Sequence, residues 1–391
     1  MQLYLHFPFC KRKCFYCDFC SAAESPETVA AYCFALEKEI WRMGETYAAE
    51  KVNTVFLGGG TPTLVPPALM GRVLHALHSA FEIAPDAEFT SEGNPGTLTE
   101  EWLQMAMKYG VNRLSLGVQA AQDALLKQIG RIHTMEDAEK AVHMARRAGI
   151  RNLNLDAMFG LPGQTETDYL NTLRTFRDLG AEHISAYSLI LEEGTPLHTM
   201  VEASKVQLPD EDETAEMYEH GITWLEANGY PRYEISNFAR PGFSCRHNIG
   251  YWQGAWYLGL GVAAHSMLPP SEEQKKRGAV RIRRGNAANV QAYICALKAG
   301  QAAPVDETEE VSAEDAMFET MMLGLRTVHG VEEKQFERLF GKTPSQQYGK
   351  TMDELTSSGL ARWIPSADTR RFALTARGLE MQNEILVRFM Q

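Results

Sequence analysis

The sequence predicts an α/β protein, with an incomplete (β/α)6 barrel followed by a small winged-helix-like C-terminal domain. Before residue 209, short β-rich runs alternate with longer amphipathic patterns, which is typical of a parallel sheet with helices packed outside it. Three helical patterns and a β-hairpin after residue 311 predict the winged-helix shape. An open doubly wound sheet is the alternative for the first part, and we favour the barrel.

The predicted elements follow one another regularly along the chain. The predicted strands are 3–7, 54–57, 88–91, 113–118, 152–157 and 183–189. The predicted helices between them are 26–49, 66–80, 99–109, 136–148 and 166–179. We expect a barrel domain over 1–210, a barrel extension over 211–310 and the small domain over 311–391.

Length and composition exclude several classes of protein. The chain has 391 residues, of which 45% are hydrophobic and 23% charged, a balance typical of soluble globular proteins. No apolar run approaches the roughly 18 residues that a membrane helix needs, and no secretion signal is visible. We therefore expect a soluble, cytoplasmic protein.

The charge distribution argues against a nucleic-acid partner. The net charge is -12, and the segment after residue 311 has no basic excess, so it lacks the electrostatic footprint of a DNA-binding domain. One basic run, at 275–284, is the exception. Such runs are usually solvated surface; the alternative is a contact for an anionic ligand or an acidic partner.

Four of the seven cysteines lie within one short segment. They are Cys10, Cys14, Cys17 and Cys20, and in a reducing compartment such a group is usually a metal site. Structural zinc normally takes two separated pairs, so zinc is the weaker alternative, and chance clustering is a third. A Cys-x3-Cys-x2-Cys loop can supply three thiolates to a 4Fe-4S cluster and leave the fourth iron for another ligand.

Polar residues and glycines occur where the predicted strands end. A Gly-Gly-Gly-Thr-Pro run at 58–62 follows the second strand, Glu92 ends the third, Gln119 the fourth and Asp156 the fifth. Functional groups of such barrels lie at the carboxyl ends of the strands. Any one of these residues has an alternative role in a turn or a helix cap, but together they predict a cofactor site at one rim.

The segment from Tyr4 to Cys17, with an aromatic Tyr16 before the third cysteine, resembles the cluster loop of radical S-adenosylmethionine (radical SAM) enzymes. The resemblance implies a 4Fe-4S cluster whose open iron is chelated by the methionyl group of S-adenosylmethionine (SAM). It also implies that electron transfer cleaves SAM to a radical. The implied cluster ligands are Cys10, Cys14 and Cys17, and the implied methionyl-binding residues are Gly59, Gly60 and Thr61.

Within this superfamily, roughly residues 1–380 resemble the oxygen-independent coproporphyrinogen oxidase group. The resemblance implies further SAM-pocket residues, which are Tyr4, Glu92, Gln119, Arg131 and Asp156. The oxidase pattern has a fourth cysteine two residues after the third, where this chain has Phe19. The role of Cys20, one position further, stays open.

A second motif, Cys-Arg-His-Asn-Ile-Gly-Tyr-Trp, occupies 245–252. From the residues alone, a hydrogen-bonded core element is the leading interpretation, and an axial haem ligand is the alternative. His-Asn-x-x-Tyr-Trp resembles the signature of haem chaperones related to the oxidases. That resemblance makes His247 the candidate haem ligand, with Cys245 as the alternative.

These resemblances imply a haem chaperone that holds a SAM-liganded cluster and passes haem to acceptor proteins, respiratory enzymes and membrane-bound acceptors among them. The alternative is an oxygen-independent coproporphyrinogen III oxidase, in which the SAM-derived radical drives oxidative decarboxylation of propionates. A third reading is another radical SAM enzyme acting on a porphyrin. Phe19 favours the chaperone, and we assign no catalytic residue.

Overall fold

The computed structural model describes residues 1–366 and 368–390. Six parallel strands form the centre of its large sheet. They are β1 (Gln2–Phe7), β2 (Val52–Gly59), β3 (Ile83–Gly93), β4 (Arg113–Gln119), β5 (Asn152–Phe159) and β6 (His183–Ser188). Each strand pairs with the next one in the chain. This order confirms the barrel wall, since a doubly wound sheet reverses its strand order at a switch point.

The helices that connect these strands confirm the predicted alternation. They are α1 (Pro26–Tyr47), α2 (Pro67–Ala80), α3 (Glu100–Lys108), α4 (Asp123–Gln128), α5 (Met135–Ala148) and α6 (Glu166–Asp178). Capping boxes at Thr134 and Thr165 start α5 and α6, because each threonine and the acidic residue three positions later satisfy one another's backbone N–H groups. The short α4 was not predicted.

The chain after β6 extends the sheet at both edges. The added strands are β7 (Asn237–Ala239), β8 (Tyr257–Leu260), β9 (His265–Leu268), β10 (Ala279–Asn286) and β11 (Val305–Ser312). The accompanying helices are α7 (Pro196–Glu202), α8 (Glu211–Ala227), α9 (Arg246–Trp252), α10 (Glu272–Lys276) and α11 (Val290–Lys298). The order across the sheet is β11-β10-β9-β8-β1-β2-β3-β4-β5-β6-β7. Within the described residues no pairing joins β7 to β11, so the barrel is incomplete.

The C-terminal unit has its own small sheet and core. Its elements are α12 (Ala313–Gly324), β12 (Val331–Glu332), α13 (Glu333–Phe340), α14 (Pro344–Ser357), β13 (Ala361–Pro365), β14 (Arg370–Leu374), α15 (Ala376–Glu380) and α16 (Gln382–Val387). The predicted hairpin is confirmed, with Ala361 opposite Leu374. Phe336 and Phe372 belong to a core separate from that of the large sheet. The domain boundaries at 210 and 310 stay predictions.

No helix in the described part of the chain is long and apolar enough to cross a bilayer.

A buried carboxylate attaches the added strands to α1. Glu39 is 3% exposed and accepts hydrogen bonds from the Gly261 backbone N–H (2.7 Å), Asn286 Nδ2 (3.0 Å) and the Tyr293 hydroxyl (2.6 Å). Burial raises the pKa of Glu39, while these three donors favour its charged form. Because the donors follow β8, end β10 and lie on α11, one side chain holds these elements against α1.

We expect Glu39→Leu to lower the free energy of unfolding by about 3 kcal/mol, because it leaves three buried donors without an acceptor. The control is Glu37→Leu on the same helix, whose partner Arg72 has a side chain that is 55% exposed. That change should cost less than about 1 kcal/mol. Urea denaturation measures both, and equal losses would contradict the anchoring role of Glu39.

Candidate functional site

The carboxyl ends of β1 to β5 surround a cavity of about 140 Å³. Most of the residues predicted for the cluster and SAM line it: Cys10, Cys14, Cys17, Gly59, Gly60, Glu92, Gln119, Arg131 and Asp156. Two predicted residues lie beside it. Thr61 places its hydroxyl 3.7 Å from Cys10 Sγ, and Tyr4 lines a larger neighbouring cavity. Sequence reasoning missed Asn94, Ser115 and Gly117, which also line the small cavity; Asn94 directly follows β3, whereas Ser115 and Gly117 lie within β4.

Backbone hydrogen bonds hold the cysteine loop over the rim. The Cys10 N–H donates to Ala22 O (2.9 Å), and the Phe15 N–H donates to Ile129 O (3.0 Å). Arg131 Nη1 lies 3.4 Å from Cys14 Sγ and donates to it. Burial raises the pKa of the Cys17 thiol. The loop therefore presents its first three thiols to one cavity.

The three thiols fit a cluster better than a single ion. Within residues 1–366 and 368–390, no three His, Cys, Asp or Glu side chains stand close enough together to hold one metal ion. In a 4Fe-4S cluster each thiolate binds a different iron, so the ligands need not converge on one point. The donor set and the cavity therefore suit the larger group.

Two glycines let the end of β2 approach the cysteine loop closely. Gly59 has φ of 102°, and a Cβ there would lie 2.5 Å from the His6 ring. A Cβ on Gly60 would lie 2.6 Å from Phe9 O. Only residues without a side chain fit here. At the same position, the Gly59 N–H donates a hydrogen bond to Glu92 Oε2 at 3.2 Å.

Two buried carboxyl groups with raised pKa values, those of Glu92 and Asp156, line the cavity. Burial, reinforced by the nearby Asp156, raises the pKa of Glu92 to about 8. Burial also raises the pKa of Asp156, although Asn154 Nδ2 donates to its carboxylate at 2.7 Å. Glu92 therefore holds a proton near neutral pH when no cation is near. An ammonium group entering the cavity would favour its ionised form.

Gln119 occupies a strained backbone position at the end of β4. Its φ is 76°, a conformation that costs a non-glycine residue energy and that clusters at functional sites. A Cβ on the neighbouring Gly117 would lie 3.0 Å from both Gln119 Nε2 and Arg131 Nη2. Arg131 also donates to Asn94 Oδ1 and to Gly117 O. These contacts fix the guanidinium and the amide in the cavity wall.

The structure places His247 outside this cavity, at the start of α9. Its Nδ1 is 2.8 Å from Thr54 Oγ1, and its Nε2 is 2.9 Å from the Tyr251 hydroxyl. The side chain is 1% exposed, and burial lowers its pKa to about 3. Both ring nitrogens therefore have protein partners in this conformation. The haem-ligand role predicted for His247 requires one of these bonds to break.

Cys245, the alternative ligand, is also buried. Its Sγ donates to Glu88 Oε1 at 3.4 Å, and the same carboxylate accepts from the His247 backbone N–H at 3.0 Å. Burial raises the pKa of Cys245 to about 12. The thiol is therefore protonated at neutral pH, whereas iron ligation needs a thiolate.

The cysteine loop borders two adjoining cavities, which share Gly59 and Glu92. Cys20 does not line the cavity of the other three thiols; it lines a larger one of about 660 Å³, together with Tyr4 and Tyr251. Phe19 is 63% exposed and borders both. The geometry thus sets Cys20 apart from the other three cysteines of the loop.

Comparison with known proteins defines the class. Residues 4–176 match the Radical SAM superfamily, and residues 311–380 match the HemN C-terminal domain. The structure of coproporphyrinogen III oxidase (HemN) from Escherichia coli, described as a radical SAM enzyme, superposes with a TM-score of 0.82. It covers 100% of this chain and 90% of that one at 22% identity. The fold is therefore that of HemN, and residues 4–176 form a domain of the Radical SAM superfamily.

Full-length relatives narrow the class to one family. Proteins named heme chaperone HemW are 35% identical in Bacillus subtilis, over 99% of this chain and 98% of the relative, and 35% identical in Lactococcus lactis, over 99% and 96%. The Escherichia coli heme chaperone HemW is 37% identical over 68% of this chain and 70% of the relative. The chain belongs to the HemW family.

The raised pKa of Glu92 predicts a pH-dependent stability of the ligand-free protein. The pKa of Glu92 is about 8 in the folded protein, whereas that of a glutamate in an unfolded chain is about 4.3. The contribution of this difference to the stability of the fold is fully present below about pH 4.3. That stabilisation is lost as the pH rises through about 8. Between pH 5 and 9, we expect wild-type protein to lose roughly 2–4 kcal/mol more unfolding free energy than Glu92→Gln.

Urea denaturation at a series of pH values makes this measurement. Glu139→Gln, at an exposed position on α5, is the control and should follow the wild-type profile. Parallel profiles for wild type and Glu92→Gln would show that Glu92 is ionised throughout this range.

Proposed function

We propose that this protein is a cytoplasmic haem chaperone that carries a SAM-liganded 4Fe-4S cluster and transfers haem to acceptor proteins. The observation that carries the proposal is the 35% identity to proteins named heme chaperone HemW, over 99% of this chain and 98% of the relative. Respiratory enzymes, including membrane-bound ones, are the proposed acceptors. We propose no nucleic-acid partner, in keeping with the net charge of -12.

In this proposal Cys10, Cys14 and Cys17 bind three irons of the cluster. Support comes from the shared cavity of the three thiols and from the Arg131 guanidinium beside Cys14 Sγ. When bound, the cluster would supply the electron that cleaves the sulfonium of SAM. Phe19 occupies the oxidase cysteine position and turns an exposed ring outward, so it offers no ligand.

The remaining cavity residues are proposed to hold SAM. Gly59, Gly60 and Thr61 bring backbone close to the methionyl group, and Glu92 can pair with its ammonium by losing its proton. Asp156 offers carboxylate oxygens that suit ribose hydroxyls. The proposed set is completed by Gln119 and Arg131, which line the same cavity, and by Tyr4, whose hydroxyl is 3.0 Å from His6 Nδ1.

For haem, the ligand predicted from the family motif is His247. Its use requires Nε2 to exchange the Tyr251 hydroxyl for iron. Cys245 would have to lose a proton from a thiol whose pKa burial raises to about 12. Breaking the His247–Tyr251 hydrogen bond and deprotonating Cys245 both cost free energy. The haem-binding site is therefore considered separately below.

The second candidate function is oxygen-independent coproporphyrinogen III oxidation. One observation favours it: Glu92, Gln119, Arg131 and Asp156 all surround one cavity, a set that a carrier of haem alone does not need. A cavity of about 430 Å³ adjoins that set and shares Glu92, Gln119 and Asp156 with it. Membership of the HemW family makes the chaperone the first candidate.

We expect Cys10→Ala, Cys14→Ala and Cys17→Ala each to abolish cluster binding, because each removes a proposed ligand. Cys20→Ala is the matched control in the same loop and should leave the cluster intact, since Cys20 lines the other cavity. Iron and sulfide content after anaerobic reconstitution, with the visible absorption spectrum, tests this. Loss of iron in the Cys20 variant would make it a cluster ligand.

An anaerobic assay decides between the two functions. Reconstituted wild-type protein receives SAM, a reductant and coproporphyrinogen III, and a parallel sample is titrated with haem. We expect stoichiometric haem binding and no turnover to protoporphyrinogen. Enzyme-like formation of protoporphyrinogen would overturn the chaperone proposal in favour of the oxidase.

A further inference from the structure

The larger cavity beside the cysteine loop, of about 660 Å³, adjoins the proposed SAM site and shares Gly59 and Glu92 with it. Its volume lies within the range of roughly 300–1,000 Å³ that ligand pockets span. Its wall is built from β1, the ends of β2 and β3, the cysteine loop, the strands β8 to β10, the helix α9 and the first helix of the C-terminal unit, α12. It is therefore a cleft between the barrel and the C-terminal unit.

Aromatic and aliphatic side chains make up much of the wall. Tyr251 and Tyr257 pack edge to face, with ring centroids 4.7 Å apart. Met267, Met322 and Leu323 supply flexible apolar surface. Such a lining suits a large apolar ring system, because it removes apolar surface from water on both ligand and protein.

Two arginines from the basic run on β10 supply positive charge. Arg281 Nη2 donates to Thr320 Oγ1 at 3.0 Å, and Nη1 lies 3.7 Å from Glu319 Oε2, beyond hydrogen-bond distance. The Arg281 side chain is only 5% exposed, and burial lowers its pKa. Arg283 also lines the cleft and pairs with Glu309 and Glu319. A carboxylate that enters the cleft could therefore accept a hydrogen bond from Arg281 Nη1.

A histidine in the same wall pairs one ring nitrogen with a carboxylate. His265 has a side chain that is 53% exposed, and its Nε2 is 3.1 Å from Glu307 Oε1. Its Nδ1 has no hydrogen-bond partner among the side chains and backbone that the structure describes. A metal-binding imidazole commonly donates its other nitrogen to a carboxylate in this way.

We propose that this cleft is the haem site, with His265 as an axial ligand through Nδ1 and with Arg281 and Arg283 binding the propionates. The inference rests on the proposed haem-chaperone function and assigns its binding site. His247 is then a positioning residue. Its Nε2 holds the Tyr251 hydroxyl at 2.9 Å, and Tyr251 lines the cleft, whereas His247 does not.

Haem titration of the full-length reconstituted protein tests the ligand. We expect His265→Ala to weaken haem binding by more than about tenfold and to shift the Soret band. His220→Ala is the matched control, because its side chain is also 53% exposed and also pairs with a carboxylate, that of Glu166. A His265 variant with wild-type affinity and spectrum would overturn the proposal.

A second pair of variants tests the propionate contacts. Arg283→Gln should weaken haem binding about tenfold without shifting the Soret band. The control is Arg277→Gln, since Arg277 also pairs with two glutamates, Glu273 and Glu310, but does not line the cleft. Equal affinities for these two variants would contradict propionate binding on β10.

Tyr251→Phe distinguishes the two roles of His247 by the sign of its effect. If His247 only positions Tyr251, the variant binds haem roughly three- to tenfold more weakly, with the wild-type Soret band. If His247 ligates iron, the variant frees its Nε2 and binds more tightly, which would overturn the inference. Failure of wild-type protein to bind haem at all would instead refute the proposed function itself.

Discussion

The close approach between the end of β2 and the chain leaving β1 determines the arrangement of the site. The Gly60 N–H donates to Phe7 O at 2.8 Å, and the Thr61 N–H donates to Phe9 O at 2.7 Å. A Cβ on Gly60 would meet this backbone, so the contact exists only with glycine. It extends the pairing of β1 and β2 beyond the strands. The cysteine loop therefore starts at the rim where the other strands end.

The parallel order of the strands then brings distant residues together. Glu92, Gln119 and Asp156 lie in the carboxyl-terminal halves of the neighbouring strands β3, β4 and β5, so they reach the same cavity although they are far apart in sequence. Burial and mutual repulsion keep Glu92 protonated near neutral pH. The cavity is thus suited to a cationic group, because the arrival of positive charge releases that proton.

The sequence predicted the parallel strands and most of the rim because both have a local pattern. A buried strand and its polar terminal residue are read from one short window, as at Glu92. The strands β7, β8 and β9 have three or four residues each, too few for a period-two pattern to stand out. His247 shows a second limit: its ring partner Tyr251 lies four positions away and fits the hydrogen-bonded core element that the residues alone favoured, whereas its other ring partner, Thr54, lies 193 positions away and has no local signal.

The position of α12 couples ligand exchange to the mechanics of the whole chain. This helix contributes Met321 to the core of the C-terminal unit, and Glu319 and Met322 to the cleft. The helix therefore belongs both to the core of the C-terminal unit and to the wall of the cleft. The Arg283–Glu319 ion pair joins this helix to β10 in the wall of the cleft. If the cleft binds haem as proposed, an acceptor protein that separates α12 from β10 would remove one wall of the cleft, and would speed the release of haem without contacting the haem itself.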